Sequence, residues 1–214
     1  MNLNKSELFL LILLLISFVI SFYFYPQLPD EMASHWNAQG EVNGYLSKFW
    51  GLFLLPFILT GLALLFIAIP RIDPLKENIE KSRKYYNRFI ILFFIFMLLI
   101  QIHIILWNLG TKISLILILP IAIGIMFYYI GGLLENIKRN WFIGIRTPWT
   151  LSNEKVWTKT HKIGGKLFRL AGIIAFMGIL FPDQIIYFIV IPAILIALYT
   201  IIYSYLEFQK QLKK

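Results

Sequence analysis

The side chains that could bind a metal ion or act in catalysis are few in this sequence and lie far apart. The three histidines, His35, His103 and His161, fall in three different segments, and the chain has no cysteine. No two of them have the spacing of zinc ligands. No H-E-x-x-H, G-x-S-x-G or phosphate-binding glycine loop is present. The sequence therefore predicts no catalytic residue, no metal site and no cofactor, and a protein that is not an enzyme.

Three neutral polar residues, Gln101, His103 and Asn108, interrupt an apolar run in the middle of the chain. Polar side chains in such a run more often form hydrogen bonds between helices than line a pathway, and we expect that role here. The alternative is a pathway through a small-molecule or lipid transporter. No Asp, Glu, Lys or Arg lies in the middle of any predicted span, which argues against an ion-coupled transporter.

A second group of functional side chains lies in residues 135–166. Trp141, Trp149 and Trp157 recur every eight residues, and we interpret them as anchors at a membrane interface. Arg146 lies between the first two, where its guanidinium could bind a lipid phosphate, cap a helix or stack on a tryptophan. We hypothesise a bidentate or stacked contact that a lysine could not reproduce.

Residues 152–170 form a predicted amphipathic helix, with Ser152 as its N-cap and Glu154 in its first turn. Gly164 and Gly165 predict a bend from this helix into a membrane span. The helix is typical either of membrane anchoring or of a docking surface for a cytoplasmic partner. Five cations share one face beside a mostly apolar stripe: Lys155, Lys159, Lys162, Lys166 and Arg169.

The elements that carry these residues are predicted membrane helices. The chain is 59% hydrophobic and only 14% charged, whereas soluble domains carry about a quarter charged residues. A span needs roughly 20 apolar residues. Runs near this length predict an all-α integral membrane protein of about six transmembrane helices, the fifth preceded by the amphipathic segment. The predicted spans are residues 8–25, 49–69, 89–109, 113–134, 167–181 and 185–206.

The distribution of charge predicts the orientation of these spans. Of the 20 Lys and Arg residues, 18 lie in the N-terminal segment, the second connection, the fourth connection with Arg169 at the start of the fifth span, and the C-terminal tail, which ends at Lys214. Only Lys48 and Lys112 lie elsewhere. Cytoplasmic loops of membrane proteins are enriched in Lys and Arg. We therefore predict a multi-pass protein of the cell membrane with both termini on the cytoplasmic side. Topology and anionic lipid account for the net charge of +9, and we expect no direct binding of nucleic acid.

Two connections have their own local signals. Residues 26–48 are a polar outer loop in which Asn43-Gly44 predicts a turn. Trp36 is predicted to be exposed there, either as a recognition anchor or resting among lipid headgroups. Asp73-Pro74 predicts the N-cap and first residue of an inner helix that continues into the third span.

Two stretches of this sequence resemble a known family. The run from Asn140 through Gly-Ile-Arg-Thr-Pro-Trp-Thr-Leu-Ser to His161 resembles the signature of the SdpI family, and the first outer loop resembles the DUF1648 region that often precedes it. The resemblance implies an N-terminal region at 1–70 and a second region at 71–214, with the signature at 135–170. It also implies two sets of candidate binding residues. Those of the signature are Asn140, Gly144, Arg146, Thr147, Pro148, Trp149, Glu154, Trp157 and His161; those of the outer loop are Pro29, His35, Trp36, Asn37 and Gly40.

The same resemblance implies a function. SdpI proteins are membrane immunity proteins against a secreted sporulation-delaying toxin, and the founding member also recruits a cytoplasmic repressor. The expected partners are the lipid bilayer, a secreted peptide toxin outside and a repressor inside. The residues alone also allow a small-molecule or lipid transporter, or a structural accessory subunit of a membrane complex. They name neither the toxin nor the oligomeric state.

Overall fold

The computed structural model describes residues 3–213, so Met1, Asn2 and the last lysine of the basic tail, Lys214, lie outside the described part. Eight α-helices and two β-strands follow one another along these residues. Their bounds are α1 Lys5–Phe24, β1 Glu31–Trp36, β2 Val42–Ser47, α2 Lys48–Ile72, α3 Lys76–Lys81, α4 Arg83–Asn108, α5 Leu115–Asn136, α6 Pro148–Ser152, α7 Glu154–Met177 and α8 Ile185–Leu212.

Six of these helices are long and apolar enough to cross a membrane: α1, α2, α4, α5, α7 and α8. The prediction of an all-α multi-pass membrane protein with six spans is therefore confirmed. Most of the helices extend beyond the apolar runs that predicted them, because helical hydrogen bonding does not stop where the apolar residues do. Helices α5 and α8 continue through Pro120 and Pro192.

The fifth span differs from its prediction. Helix α7 runs without interruption from Glu154 to Met177, and its N-cap is Asn153, which accepts bonds from two backbone amides. The predicted cap at Ser152 is wrong, and the helix continues through Gly164 and Gly165. A Cβ on Gly165 would lie 2.7 Å from the carbonyl oxygen of Gly131 in α5. The glycine serves close packing of two helices, as small residues do in membranes.

The chain divides into two compact units. The first comprises residues 1–67 and 90–118, and its core contains Met32, Leu52 and Ile105. Within it, Gln101 of α4 accepts a hydrogen bond from Ser17 of α1 and donates to the carbonyl of Ser17 at 2.9 Å and to Oγ of Ser21 at 2.8 Å. The prediction that Gln101 forms hydrogen bonds between helices is confirmed.

The polar loop of the first unit is an antiparallel β-hairpin, and the predicted turn at Asn43-Gly44 is wrong. Both residues lie in β2, where Gly44 pairs with His35 of β1. The chain turns earlier, because Oδ1 of Asn37 accepts hydrogen bonds from the amides of Gln39 at 3.0 Å and Glu41 at 2.9 Å. Gly40 has a positive φ of 79°, a conformation that glycine adopts without steric cost.

The second unit comprises residues 68–89 and 119–214. Leu133, Ile137 and Trp157 form its buried cluster. The predicted N-cap at Asp73 is wrong: α3 begins at Lys76 without a side-chain cap, and a break at Ser82 separates it from α4. Both residues instead bind the connection that follows α5, which carries the signature.

Candidate functional site

The connection between α5 and α6 is held in a tight turn by one buried amide. Asn140 is fully buried and forms four hydrogen bonds. Its Oδ1 accepts from the amides of Phe142 at 3.0 Å and Ile143 at 2.7 Å, while Nδ2 donates to the carbonyls of Lys138 at 2.9 Å and Ile143 at 3.1 Å. An asparagine side chain offers two donors and an acceptor oxygen with two lone pairs. The turn uses all of them.

Three residues outside the signature, Asp73, Asn78 and Ser82, attach this turn to the segment around α3. Nδ2 of Asn78 donates to the carbonyl of Arg139 at 2.9 Å. The buried carboxylate of Asp73 accepts from the amide of Trp141 at 2.9 Å and, through its other oxygen, from Leu75 at 2.6 Å. The buried hydroxyl of Ser82 donates to the carbonyl of Asn136 at 2.9 Å and accepts from the amide of Lys138 at 3.1 Å. These contacts hold the signature as folded structure rather than as a free loop.

A buried histidine connects the turn to α7. The ring of His161 stacks on that of Trp157, with centroids 3.9 Å apart. Its Nε2 accepts from the amide of Ile145 at 2.9 Å, and Nδ1 lies 2.8 Å from the carbonyl of Trp157. A carbonyl needs a donor and an amide needs an acceptor, so the imidazole is neutral with its proton on Nδ1.

Gly144 and Trp157 complete this junction. Gly144 has a positive φ of 113°, and a Cβ there would collide with Nε2 of His161. Nε1 of Trp157 donates to the carbonyl of Ile137 at 3.0 Å, and the side chain is 1% exposed. The interpretation of Trp157 as an interfacial anchor is therefore wrong; its ring belongs to the core of the second unit.

The Thr-Pro-Trp part of the signature packs against α8. Thr147 caps α6 in a reciprocal pair with Thr150, and its Oγ1 lies 3.0 Å from Oγ of Ser204. Pro148 lies in the first turn of α6, where a backbone N–H would have no partner within the helix. Trp149 contacts the ring of Tyr205 edge-on at 5.1 Å between centroids.

Arg146 does not form the contact that we hypothesised. Its side chain is exposed, and Nη1 donates one hydrogen bond, to the carbonyl of Trp141 at 2.9 Å. Within residues 3–213 it has neither a carboxylate partner nor a stacked tryptophan. The guanidinium therefore remains accessible to a ligand outside the chain.

The first turns of α7 present an exposed polar surface. Glu154 and Lys155 are exposed, and the ammonium of Lys159 pairs with the buried carboxylate of Glu207 in α8. A groove of about 860 Å³ lies beside this pair, with Thr158 and Gln211 also in its wall. The predicted basic face is thus present at the surface, and one of its cations is used to pair α7 with α8.

The β-hairpin of the first unit packs its tryptophan on α4. The ring of Trp36 lies 5.1 Å from that of His103 and 5.4 Å from that of Trp107, both edge-on. Nε1 of Trp36 and Nε2 of His103 are buried and have no hydrogen-bond partner within residues 3–213. Trp36 is half-buried rather than fully exposed, because the hairpin folds onto the end of the helix.

Asn108 fixes the hairpin in this position. Its Oδ1 accepts from the amide of Ala33 at 2.8 Å, and its Nδ2 donates to the carbonyl of Ala33 at 2.9 Å. The side chain thus pairs with the backbone of β1 as a neighbouring strand would. Of the remaining outer-loop candidates, Pro29 and His35 are exposed, and Nδ1 of His35 lies 2.6 Å from Oδ1 of Asn43.

The structure therefore separates the predicted site residues into two groups that lie in different units. Asn140, Gly144, Thr147, Trp157 and His161 build the signature loop from inside. Sequence reasoning missed four residues that bind this loop or the start of α7: Asp73, Ser82, Ser204 and Glu207. A signal existed for the last of these, since Glu207 is a single acid near the end of an otherwise apolar run.

Comparison with known proteins supports the predicted resemblance. The model of the SdpI/YfhL protein family matches residues 136–204, and that of the domain of unknown function DUF1648 matches residues 12–60. The chain is 27% identical over 194 residues to "Immunity protein SdpI" of Bacillus subtilis (strain 168), covering 91% of both chains. No solved structure matches the chain. The resemblance predicted from the two motifs is confirmed.

Proposed function

This chain carries the SdpI/YfhL and DUF1648 regions on six membrane-spanning helices as a multi-pass protein of the cell membrane, and on that premise we propose that it protects its cell against a secreted membrane-active peptide. The observation that carries the proposal is the similarity to the Bacillus subtilis immunity protein along 91% of both chains. A match of that extent includes the outer hairpin as well as the signature.

The outer hairpin supplies a surface for such a peptide. Trp36 has a buried Nε1–H that no atom of residues 3–213 accepts, and His103 has an equally unpaired Nε2 beside it. Buried polar groups normally have partners, because an unpaired one costs about 1–3 kcal/mol. A peptide carbonyl or hydroxyl reaching this cluster would satisfy both atoms. We therefore assign toxin contact to Trp36 and His103.

Survival under toxin challenge tests this assignment. Sensitive cells receive this chain, the Bacillus subtilis relative or an empty vector at matched membrane abundance, and are challenged with purified sporulation-delaying toxin. We expect the chain to restore survival, and Trp36→Phe to remove most of that protection because it deletes Nε1–H but keeps an aromatic ring. Trp107→Phe in the same cluster is the matched control. Cells as sensitive as those with empty vector would contradict the proposed immunity.

The signature loop supports the finer part of the proposal, communication with a cytoplasmic repressor. Asp73, Asn78 and Ser82 fasten the loop to the segment around α3. His161 and Thr147 fasten it to α7 and α8, so a change in one helix would reach the others. The groove beside Lys159 and Glu207 offers an exposed polar surface. On the predicted orientation this surface faces the cytoplasm.

Adding negative charge to the groove tests the repressor role separately from immunity. Lys155→Glu combined with Thr158→Glu changes two exposed residues of its wall, whereas Lys162→Glu changes an exposed lysine of α7 outside it. We expect the double variant to lose toxin-dependent relocation of a fluorescent repressor to the membrane while cells still survive. Relocation that persists in the double variant would remove the groove from the mechanism.

The transporter alternative gains no support from the polar residues of α4. The side-chain amide of Gln101 is hydrogen-bonded to α1, and that of Asn108 is hydrogen-bonded to the hairpin. A substrate pathway through them would have to break these bonds.

A further inference from the structure

A small cavity in the second unit is lined by two arginines and three tyrosines. Its volume is about 190 Å³. Its wall consists of Tyr85 and Arg88 of α4, Tyr128, Tyr129, Gly132 and Leu133 of α5, and Arg169 of α7. Pockets for drug-sized ligands measure about 300–1,000 Å³. This cavity is therefore the size of a single small polar group rather than of a complete organic ligand.

The charges around the cavity are unbalanced. Nη2 of Arg169 pairs with Oε2 of Glu135 at 2.7 Å, and its guanidinium carbon lies 5.3 Å from the ring centre of Tyr128. Nε of Arg169 is buried without a hydrogen-bond partner in residues 3–213. Arg88 has no acidic partner within the same residues. Two guanidinium groups against one carboxylate leave one positive charge, which a singly charged anion would neutralise.

The donors favour phosphate among possible anions. A guanidinium presents its N–H groups as a planar fork that matches phosphate oxygens, and tyrosine hydroxyls add neutral donors. The hydroxyls of Tyr85, Tyr128 and Tyr129 form no hydrogen bond within the described residues. Arginine and tyrosine donors from three helices can therefore converge on one phosphate group.

The position of the cavity favours a lipid as the source of that phosphate. Arg88 immediately precedes the apolar run of α4, which is where headgroups meet the end of a span. Tyr128 and Tyr129 are 49% and 44% exposed, so the cavity opens toward the surface of α5. Basic pockets between membrane helices bind anionic headgroups. We propose that Arg88 and Arg169 bind the phosphate of an anionic phospholipid here.

Lipid titration of the purified full chain tests this site. The chain in a neutral detergent is titrated with phosphatidylglycerol, phosphatidylcholine or inorganic phosphate, and bound lipid is counted by native mass spectrometry. We expect phosphatidylglycerol to bind at least about tenfold more tightly than phosphatidylcholine. Arg88→Gln should lose about tenfold of that affinity, as expected for one charge-assisted contact. Arg88 carries the test because removing Arg169 would leave Glu135 unpaired.

Lys84→Gln is the matched control. Lys84 and Arg88 are both exposed and lie one turn apart on α4, but only Arg88 lines the cavity. We expect its loss to change the affinity by less than about threefold, because an exposed charge that does not contact the bound phosphate contributes little. Inorganic phosphate that displaces the lipid at millimolar concentration would support the anion site and make free phosphate a second ligand. Equal losses in the Arg88 and Lys84 variants, or a wild-type affinity in Arg88→Gln, would overturn the proposal.

Discussion

Replacing Asn140 tests whether the signature loop is held by its own buried amide. Asn140→Ala removes four hydrogen bonds to backbone groups of the turn. Each contributes about 0.5–1.5 kcal/mol net, which gives about 2–6 kcal/mol in all. Trp141 and Phe142 are exposed, so some of the freed backbone groups regain water. We therefore expect a loss near the lower end, about 2–3 kcal/mol, or roughly 30- to 150-fold in the equilibrium for opening the loop.

Amide hydrogen exchange of the purified chain measures this opening. The amides of Trp141 and Ile145 are suitable reporters, because they bond to Asp73 and His161 and not to Asn140. Faster exchange at both would show that the loop opens as a unit. Asn140→Asp should be as damaging as alanine, because it places a carboxylate oxygen where Nδ2 now donates to two carbonyls.

The matched control is Asn136→Ala. Asn136 lies at the end of α5, and its Nδ2 donates one hydrogen bond, to the carbonyl of Gly132 at 2.8 Å. Its loss should cost about 0.5–1.5 kcal/mol, or at most about tenfold in exchange. If Asn140→Ala exchanges no faster than Asn136→Ala, the amide does not hold the loop, and the structural role that we assign to the first residue of the signature is wrong.

Three further predictions follow from the remaining contacts. Gly144→Ala should lower the free energy of unfolding by at least about 2 kcal/mol, because a Cβ at positive φ meets the ring of His161; thermal unfolding in detergent measures this, and an unchanged midpoint would contradict it. Trp36→Ala should lower the free energy of unfolding by about 1–3 kcal/mol, because it removes two aromatic contacts that contribute about 0.5–1.5 kcal/mol each. In the same assay, Trp36→Phe should be closer to wild type. In the cysteine-free chain, Gln39→Cys should react with a membrane-impermeant thiol reagent in intact cells and Lys155→Cys only after permeabilisation; labelling of the latter in intact cells would reverse the predicted orientation.

The six membrane helices and the family resemblance could be predicted from the sequence. Span length and apolar composition are local properties of a segment, because the bilayer imposes the same requirement on every helix that crosses it. The long motif from Asn140 to His161 is a second local signal. A third is the position of Gln101 within an apolar run, which predicts a hydrogen bond to another helix. None of these inferences requires knowledge of which segments meet.

The roles of individual site residues depended on tertiary structure. Trp36 and Trp157 follow the same compositional rule for interfacial tryptophan, yet one packs on α4 and the other stacks on His161 in a core. Gly165 weakens a helix by local propensity, but its lack of a side chain permits close contact with Gly131. Helix propensity contributes only a small local free energy at each residue, so it did not determine these roles.

Side-chain contacts between distant segments decide where that local preference is overridden. The carboxylate of Asp73 illustrates this, because local sequence made it a helix cap while the fold placed it against the amide of Trp141. A hydrogen bond to a charged group contributes about 1.5–3 kcal/mol, which is at least as much as the roughly 0.5–2 kcal/mol of a helix N-cap. By itself, then, the sequence determined how many helices span the membrane and which family they resemble. Only the tertiary structure decided which polar groups hold the signature together and which remain available to a ligand.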